Sequence, residues 1–205
     1  MRPIAAGLGI GLAAAVLTVP TLLGQAGTPP PAGEARWIVD IVHSQIDFRV
    51  RHLVGRVRGT FTNWYAELHT QGDDWTRGTV SVNVQTTSLN TGNRLRDDDL
   101  RSSHFFAVDS FPVMGFKSTG IETSDSAVVI HGMLTIKERS RPVTLRGQYR
   151  GVAKDMEGHE RIAFDATTTI DRRDFGMSWT PIVGDAAVIG NDVEITIALE
   201  AVRVH

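Results

Sequence analysis

The sequence contains no cysteine and no marked excess of either charge. Because none of its 205 residues is cysteine, disulfide frameworks, thiol nucleophiles and thiolate metal sites are excluded. The 21 Lys and Arg residues nearly balance the 23 Asp and Glu residues, for a formal net charge of -2, so bulk attraction to nucleic acid is excluded as well. Packing and hydrogen bonds alone must therefore hold the fold.

Motifs of the common enzyme classes are also missing. There is no Gly-x-Ser-x-Gly elbow, no glycine-rich phosphate loop and no dinucleotide fingerprint. The acidic run 97–99 lacks the alternating ligands and the glycine of a calcium loop, which indicates the solvated face of a helix. The histidines, none with the helical spacing of a zinc protease, stand at 43, 52, 69, 104, 131, 159 and 205. We expect no catalysis, no cofactor and no metal; the alternative is an enzyme or metal protein that uses strand histidines such as His43 and His52.

The longest apolar run lies at the N-terminus. Arg2 precedes it, and small residues of the kind that a signal peptidase reads stand at its end. We expect a signal peptide over 1–26, cleaved after Ala26, or else an uncleaved membrane anchor over 3–24. Either way the folded part is expected to be exported, to the periplasm or the extracellular cell envelope. The proline-rich segment 27–35 is typical of an extended tether.

From Arg36 onward, apolar and polar residues alternate with period two. Ile46, Phe48 and Val50, for example, alternate with charged residues, as in strands that bury one face. Similar stretches recur at 57–61, 64–68, 80–84, 114–116, 128–136, 143–149, 162–170 and 193–201. We predict one all-β domain over 36–205, an antiparallel barrel of about eight strands.

The segment 93–103 lacks this alternation and is predicted to be a short helix. We interpret the helix as a lid or plug, or as a purely structural closure of one barrel end that buries Leu95, Leu100 and Phe105. Three arginines of the segment either meet a phosphate head group or are simply solvated: Arg94, Arg96 and Arg101.

The predicted interior is rich in Val, Ile and Phe. Gly132, Gly147 and Ala166 are interspersed among these residues and are expected to leave space. Such an interior suits a long apolar ligand, since each methylene that it buries contributes about 0.8 kcal/mol. A dry, fully packed core fits the same alternation.

Several stretches also match, in order and spacing, a pattern found in a known protein family. The matching stretches are His43–Leu53, Val57–Phe61, Asn90–Ser102, Phe105–Phe106, Phe111–Pro112, Phe116–Ser118, Leu134–Ile136, Arg141–Val143 and Ile170–Met177. From Trp37 to Ala201 the chain resembles the YceI-like family of bacterial envelope proteins. The resemblance implies an eight-stranded lipocalin-like barrel whose cavity holds a polyisoprenoid or other long-chain amphiphile, and it implies no catalytic residues.

The chain departs from the family pattern at two places. The family usually has a His before Leu-Arg-Ser and an Asp before Phe-Phe, whereas here these positions are Asp99 and His104, so the pair can persist with its charges exchanged. The turn after Leu134-Thr135-Ile136 carries Glu138-Arg139, which makes it more polar. Both departures bear on head-group recognition and leave the barrel intact.

Our first hypothesis is therefore that the protein binds or carries a long-chain isoprenoid, or a similar amphiphilic lipid, in the bacterial cell envelope without catalysis. The alternative is a filled barrel, a structural or interaction domain displayed outside the cytoplasmic membrane. The predicted lipid-binding residues of the cavity are Phe48, Val50, Phe61, Val82, Val84, Phe116, Leu134, Phe164 and Ile195.

Overall fold

A computed structural model describes residues 33–72, 74–184 and 186–204. The predicted signal peptide or anchor, its cleavage position and most of the tether lie outside these ranges. Within them, no helix is both long and apolar enough to span a bilayer. The first strand starts at Glu34, two residues before the predicted start of the domain.

The described residues are mostly β-strand. The strands are β1 (Glu34–Val39), β2 (Gln45–His52), β3 (Gly55–Phe61), β4 (Trp64–Gln71), β5 (Asp74–Gln85), β6 (Leu89–Asn90), β7 (Val113–Ser124), β8 (Ala127–Ile136), β9 (Arg139–Lys154), β10 (Glu160–Asp171), β11 (Ile182–Val183), β12 (Ala186–Ala187) and β13 (Ile189–Val204). The helix α1 spans Arg94–Arg101, and two short 3-10 helices span Thr86–Ser88 and Arg172–Phe175.

Eight of these strands close into a ring. Its order is β1, β4, β5, β7, β8, β9, β10 and β13, and β13 pairs back onto β1 with Arg36 opposite Val204 and Val39 opposite Ala201. The pairings around this ring are all antiparallel. The predicted antiparallel barrel of about eight strands is confirmed.

The first half of β13 carries an extension of the sheet. There β13 pairs with β2, β2 with β3, and β3 with the two residues of β6, where the sheet order ends. The chain then forms α1. The backbone N–H groups of Phe106 and Val108, in the loop after the helix, donate to the carbonyl oxygens of Leu100 and Arg101 in its last turn. A helix and loops therefore cover this end of the barrel, which we call the mouth end.

Alternation along the strands sorts side chains into the interior. In β4, Trp64, Ala66 and Leu68 are buried, whereas Tyr65 between them is exposed. This is the phase that the sequence predicted for this strand. The buried residues form two clusters, one toward each end of the barrel.

Two glycines that were expected to leave space do not. A Cβ on Gly132 would lie 2.3 Å from the ring of Phe116, and one on Gly147 would lie 1.8 Å from the carbonyl oxygen of Asp165. A side chain at either position would overlap these neighbours. These glycines therefore allow close packing, and the expectation that they widen the interior was wrong.

Candidate functional site

The barrel encloses an apolar cavity of two adjoining chambers. The inner chamber, about 160 Å³, lies among the ring strands, with wall residues such as Val82, Phe116 and Ile197. The outer chamber, about 470 Å³, lies under α1 at the mouth end. The two chambers share four wall residues, which form a waist: Ile46, Met114, Ile136 and Ile195. A void that holds a single water needs only about 10–15 Å³, so this interior is not a filled core.

Aromatic rings fill the end of the barrel opposite the mouth. The Trp75 ring lies 5.3 Å from that of Phe164, 5.6 Å from Tyr149 and 5.8 Å from Trp37. Trp75 follows the β4–β5 turn, and Tyr149 and Phe164 lie on the two strands that the β9–β10 turn joins. The inner chamber therefore has an aromatic floor.

The outer chamber has an apolar wall and a polar rim. Phe48, Val50 and Phe106 belong to the wall. The polar residues that also line it are Asp47, Arg51, His52, Arg96, Asp99 and Arg172. Such an arrangement accommodates a long apolar molecule that ends in a polar group at the rim.

All nine residues predicted as cavity candidates line the chambers. Phe48, Val50 and Phe61 line the outer one, Val82, Val84, Phe116, Leu134 and Phe164 the inner one, and Ile195 both. Contact of these residues with a lipid stays a prediction. The sequence reasoning missed Trp75 and Trp179, because neither stands in an alternating stretch that was assigned to the interior.

Buried polar contacts fasten α1 to the preceding loop. Asp97, only 7% exposed, accepts hydrogen bonds from the backbone N–H of Thr91 at 2.9 Å and from its hydroxyl at 2.6 Å. Arg96 donates to the Thr91 hydroxyl at 2.7 Å and to its carbonyl at 2.9 Å. Arg101 donates to the carbonyl of Leu89 at 2.7 Å. These two arginines therefore hold α1 in place and are not simply solvated, and their contact with a phosphate head group stays a prediction.

The helix differs from its prediction at two further residues. The expectation that the run 97–99 is a solvated face was wrong for Asp97, which is buried. Leu95 is 74% exposed and does not close the barrel end, whereas Phe105 is buried, as predicted. Leu95 instead stands at the edge of the outer chamber.

The exchanged pair of Asp99 and His104 is present. His104 Nδ1 lies 3.1 Å from Asp99 Oδ1, which confirms that the two residues pair with their charges exchanged. The His104 ring also stacks on Trp179, with centroids 4.6 Å apart and planes 3° from parallel. The end of α1 is thereby joined to the segment after the second 3-10 helix, above the outer chamber.

A buried arginine holds that segment in place. Arg172 is 3% exposed and donates to the carbonyl oxygens of Met177, Trp179 and Gly190, the last two at 2.8 Å. Burial lowers the pKa of Arg172, because the cation has left water, while the nearby Asp171 opposes this shift. Backbone oxygens thus replace the water around this charge and keep Trp179 at the rim of the chamber.

Two groups of side chains have the composition of metal ligands. They are Asp40, His43 and Glu200, and Asp155, Glu157 and His159. Arg161 lies between them and donates to Asp155 at 2.9 Å, and to Asp40 and Glu200 at 2.7 Å each. Arg161 therefore already pairs with three of the four carboxylates of the two groups. His43 stands in one of these groups, whereas His52, at the far end of β2, belongs to neither, so the two histidines do not share a candidate metal site among the described residues.

One hydrogen-bonded chain has the order of a hydrolase triad. His131 lies 3.1 Å from the Thr144 hydroxyl and 3.1 Å from Glu122. These residues lie on neighbouring strands at the outer face of the sheet, and neither chamber includes them. A catalytic triad needs a pocket for its substrate. We therefore assign no catalytic activity to these three residues.

The fold and the cavity define a class: a lipocalin-like barrel with an internal apolar cavity. Within that class, the chain belongs to the YceI-like domain family, which residues 37–201 match.

Known relatives agree with this assignment. A UPF0312 protein of Serratia proteamaculans is 32% identical over 162 residues, which cover 78% of this chain and 82% of that protein. The crystal structure of Burkholderia cenocepacia BcnA, 21% identical, gives a TM-score of 0.68 over 79% of this chain and 98% of its own. A polyisoprenoid-binding domain from Saccharophagus degradans, 14% identical, gives 0.59 over 83% and 98%. The two structures support the fold.

Proposed function

We propose that this protein binds or carries a long-chain isoprenoid, or a similar amphiphilic lipid, with the tail in the two chambers and the polar end at the mouth. The observation that carries this proposal is the pair of adjoining apolar chambers along the barrel. Charged side chains are concentrated around the outer chamber, whereas the inner chamber has an almost wholly apolar lining in which Glu67 is the charged residue. An amphiphile matches this distribution of apolar and polar surface.

The apolar wall supplies enough free energy to bind such a tail. Burying ten methylenes contributes about 8 kcal/mol, which corresponds to a micromolar complex before ordering costs are subtracted. Micromolar affinity therefore requires no specific polar contact. The rim is therefore free to select the head group without carrying the affinity.

The relatives and the N-terminal sequence support the same proposal. The similar domain from Saccharophagus degradans is described as polyisoprenoid-binding. The apolar N-terminal run suits export, and we propose that the barrel works outside the cytoplasm, in the cell envelope. A carrier there needs no catalytic residue. The open chambers favour this function over a filled display domain.

Native mass spectrometry tests the proposal. The full chain is expressed in a bacterium, purified from the cell envelope and weighed intact, and any released molecule is extracted with organic solvent and analysed. The proposal expects one long-chain amphiphile per chain. A bare polypeptide mass in repeated preparations, with no uptake of an added long-chain isoprenoid, would contradict it.

A further inference from the structure

The mouth end exposes large apolar side chains. Val54, in the β2–β3 turn, is fully exposed, and Leu53 beside it is 45% exposed. Ile182 and Val183, in the hairpin of β11 and β12, are exposed by more than 60%. The backbone N–H of Leu53 donates to the carbonyl of Val188 at 2.8 Å, so the two turns are neighbours. Apolar groups clustered in this way mark an interaction surface.

The conformation of the β2–β3 turn is also unusual. Leu53 has a φ of 51°, in the left-handed region that favours glycine. A residue with this side chain costs about 1–2 kcal/mol there. The turn therefore accepts backbone strain while it presents Leu53 and Val54 to solvent.

Four arginines belong to the same hairpin, and one of them, Arg51, also reaches the rim of the outer chamber. Arg49 lies opposite Arg58, and Arg51 opposite Arg56, in the β2–β3 register. Like charges directly opposite each other destabilise a pair of strands. Residues 45–61 carry these four arginines and one aspartate, a net charge of +3, although the whole chain is at -2.

These arginines are poorly neutralised by the protein itself. Glu194 is the carboxylate partner of Arg56 and lies 3.8 Å from Arg49. Among the described residues, Arg51 donates to the carbonyl oxygens of Leu53 and Ala187 and to no carboxylate. Arg58 has no ion pair or side-chain hydrogen bond within the described ranges. The hairpin therefore keeps unpaired positive charge beside its apolar tip.

The opposite end of the barrel also exposes apolar side chains, such as Val42 and Met156, but without a cluster of unpaired arginines beside them among the described residues. Its turns carry the acidic residues Asp74, Asp125, Asp155 and Glu157. Of these, Asp155 pairs with Arg161, while at the mouth end Asp98 pairs with arginines of α1 and Asp99 pairs with His104. The net charge of +3 on the β2–β3 hairpin would attract an anionic surface to its apolar tip.

We propose that the mouth end docks on an anionic phospholipid bilayer. The side chains at 53–54 and 182–183 enter the boundary between head groups and acyl chains, and the hairpin arginines contact lipid phosphates. The outer chamber then opens toward the membrane. The docking itself does not depend on the proposed function. Its purpose does, because docking would let a lipid pass between the bilayer and the cavity.

The lack of cysteine allows a site-specific test in the full chain. Val54→Cys carries an environment-sensitive fluorophore, and Met156→Cys, at a fully exposed apolar position in the β9–β10 turn, is the matched control. The probes are vesicles of phosphatidylcholine alone and of an equal mixture with phosphatidylglycerol. We expect a blue shift at position 54 with the anionic vesicles only, and none at 156. Because the label reports its own surroundings, an N-terminal anchor alone would not produce this pattern.

The arginines are tested in the same labelled protein. Replacing Arg56 and Arg58 by Gln should raise the concentration of anionic lipid that gives half of the blue shift by about 30-fold. High salt should raise this concentration as well. No shift at 54, an equal shift with neutral vesicles, or an equal shift at 156 would overturn the docking proposal. Lipid found by mass spectrometry without any shift would remove the docking and leave the proposed lipid binding in place.

Discussion

Arg161 joins three parts of the chain that are far apart in sequence. Its guanidinium lies between Asp40, Asp155 and Glu200, from the β1–β2 loop, the β9–β10 turn and β13. The hydrogen bond from Arg161 lowers the pKa of Asp155 to about 2, and with His43 it lowers the pKa of Asp40 further still. The three carboxylates in turn raise the pKa of Arg161.

These shifts predict a dependence of stability on pH. A carboxyl group whose pKa is lower in the folded than in the unfolded chain stabilises the fold at pH values above its unfolded pKa, which is near 4. That contribution is lost as the pH falls through the pKa of the folded chain. In Arg161→Gln the carboxylates repel one another, so we expect lower stability at neutral pH. Its deficit relative to the wild type should shrink between about pH 4 and 2.

Thermal unfolding measured across this pH range checks the prediction. Arg150→Gln is the matched control, because the ion pair of Arg150 with Asp165 is about half-exposed to solvent and its loss should change stability little at any pH. A constant deficit for Arg161→Gln from neutral pH to pH 2 would show that the carboxylates do not depend on Arg161.

Individual residues were predictable to very different degrees. The pairing of Asp99 with His104 was predictable, because the two residues are close in sequence and exchange the His and Asp of the family pattern. The burial of Asp97 did not, because a run of three acidic residues usually indicates a solvated helix face. Its partner is Thr91, and only the folded loop before α1 brings Asp97 over that residue.

At the scale of elements, α1 depends on contacts made by its polar side chains. Asp97→Ala would leave the N–H and the hydroxyl of Thr91 without their acceptor, at a cost of about 1–3 kcal/mol. We expect a lower melting temperature and faster amide exchange across α1.

Asp98→Ala is the matched control for this change. Asp98 is exposed and lies 3.5 Å from Arg94 and 3.6 Å from Arg101, so its loss should cost less than about 0.5 kcal/mol. Equal melting temperatures of the two variants, measured by circular dichroism, would refute the anchoring role of Asp97.

Strand prediction succeeded where alternation is long and uninterrupted. In β8 and β13 it extends over most of the strand, and both elements enclose the stretches predicted from it. No alternating stretch was assigned to β1, which is short. Trp75 and Trp179 reach the cavity from the start of a strand and from an irregular segment, where period two carries no information. Their positions depend on tertiary packing.

For the whole molecule, the sequence predicted the barrel and left the state of its interior open. Alternation shows which side chains face inward but not whether their combined volume fills the space. In the structure, one end has an aromatic floor, and the other has a larger chamber under α1. We infer that a ligand enters at the mouth end.

Lipid retention by two neighbouring variants tests the central claim, that the interior binds a lipid tail. Ala166 lines the inner chamber, whereas the next residue, Thr167, points outward and is exposed. Ala166→Trp fills space that a tail would occupy; displacing two methylenes costs about 1.6 kcal/mol, or roughly tenfold in affinity. Thr167→Trp adds the same side chain outside the barrel.

The measurement is the amount of long-chain amphiphile bound per chain in each purified variant, by native mass spectrometry, after circular dichroism has shown both to be folded. We predict that Thr167→Trp retains the wild-type amount and that Ala166→Trp loses most of it. Equal retention by both variants would contradict the assignment of the tail to the inner chamber.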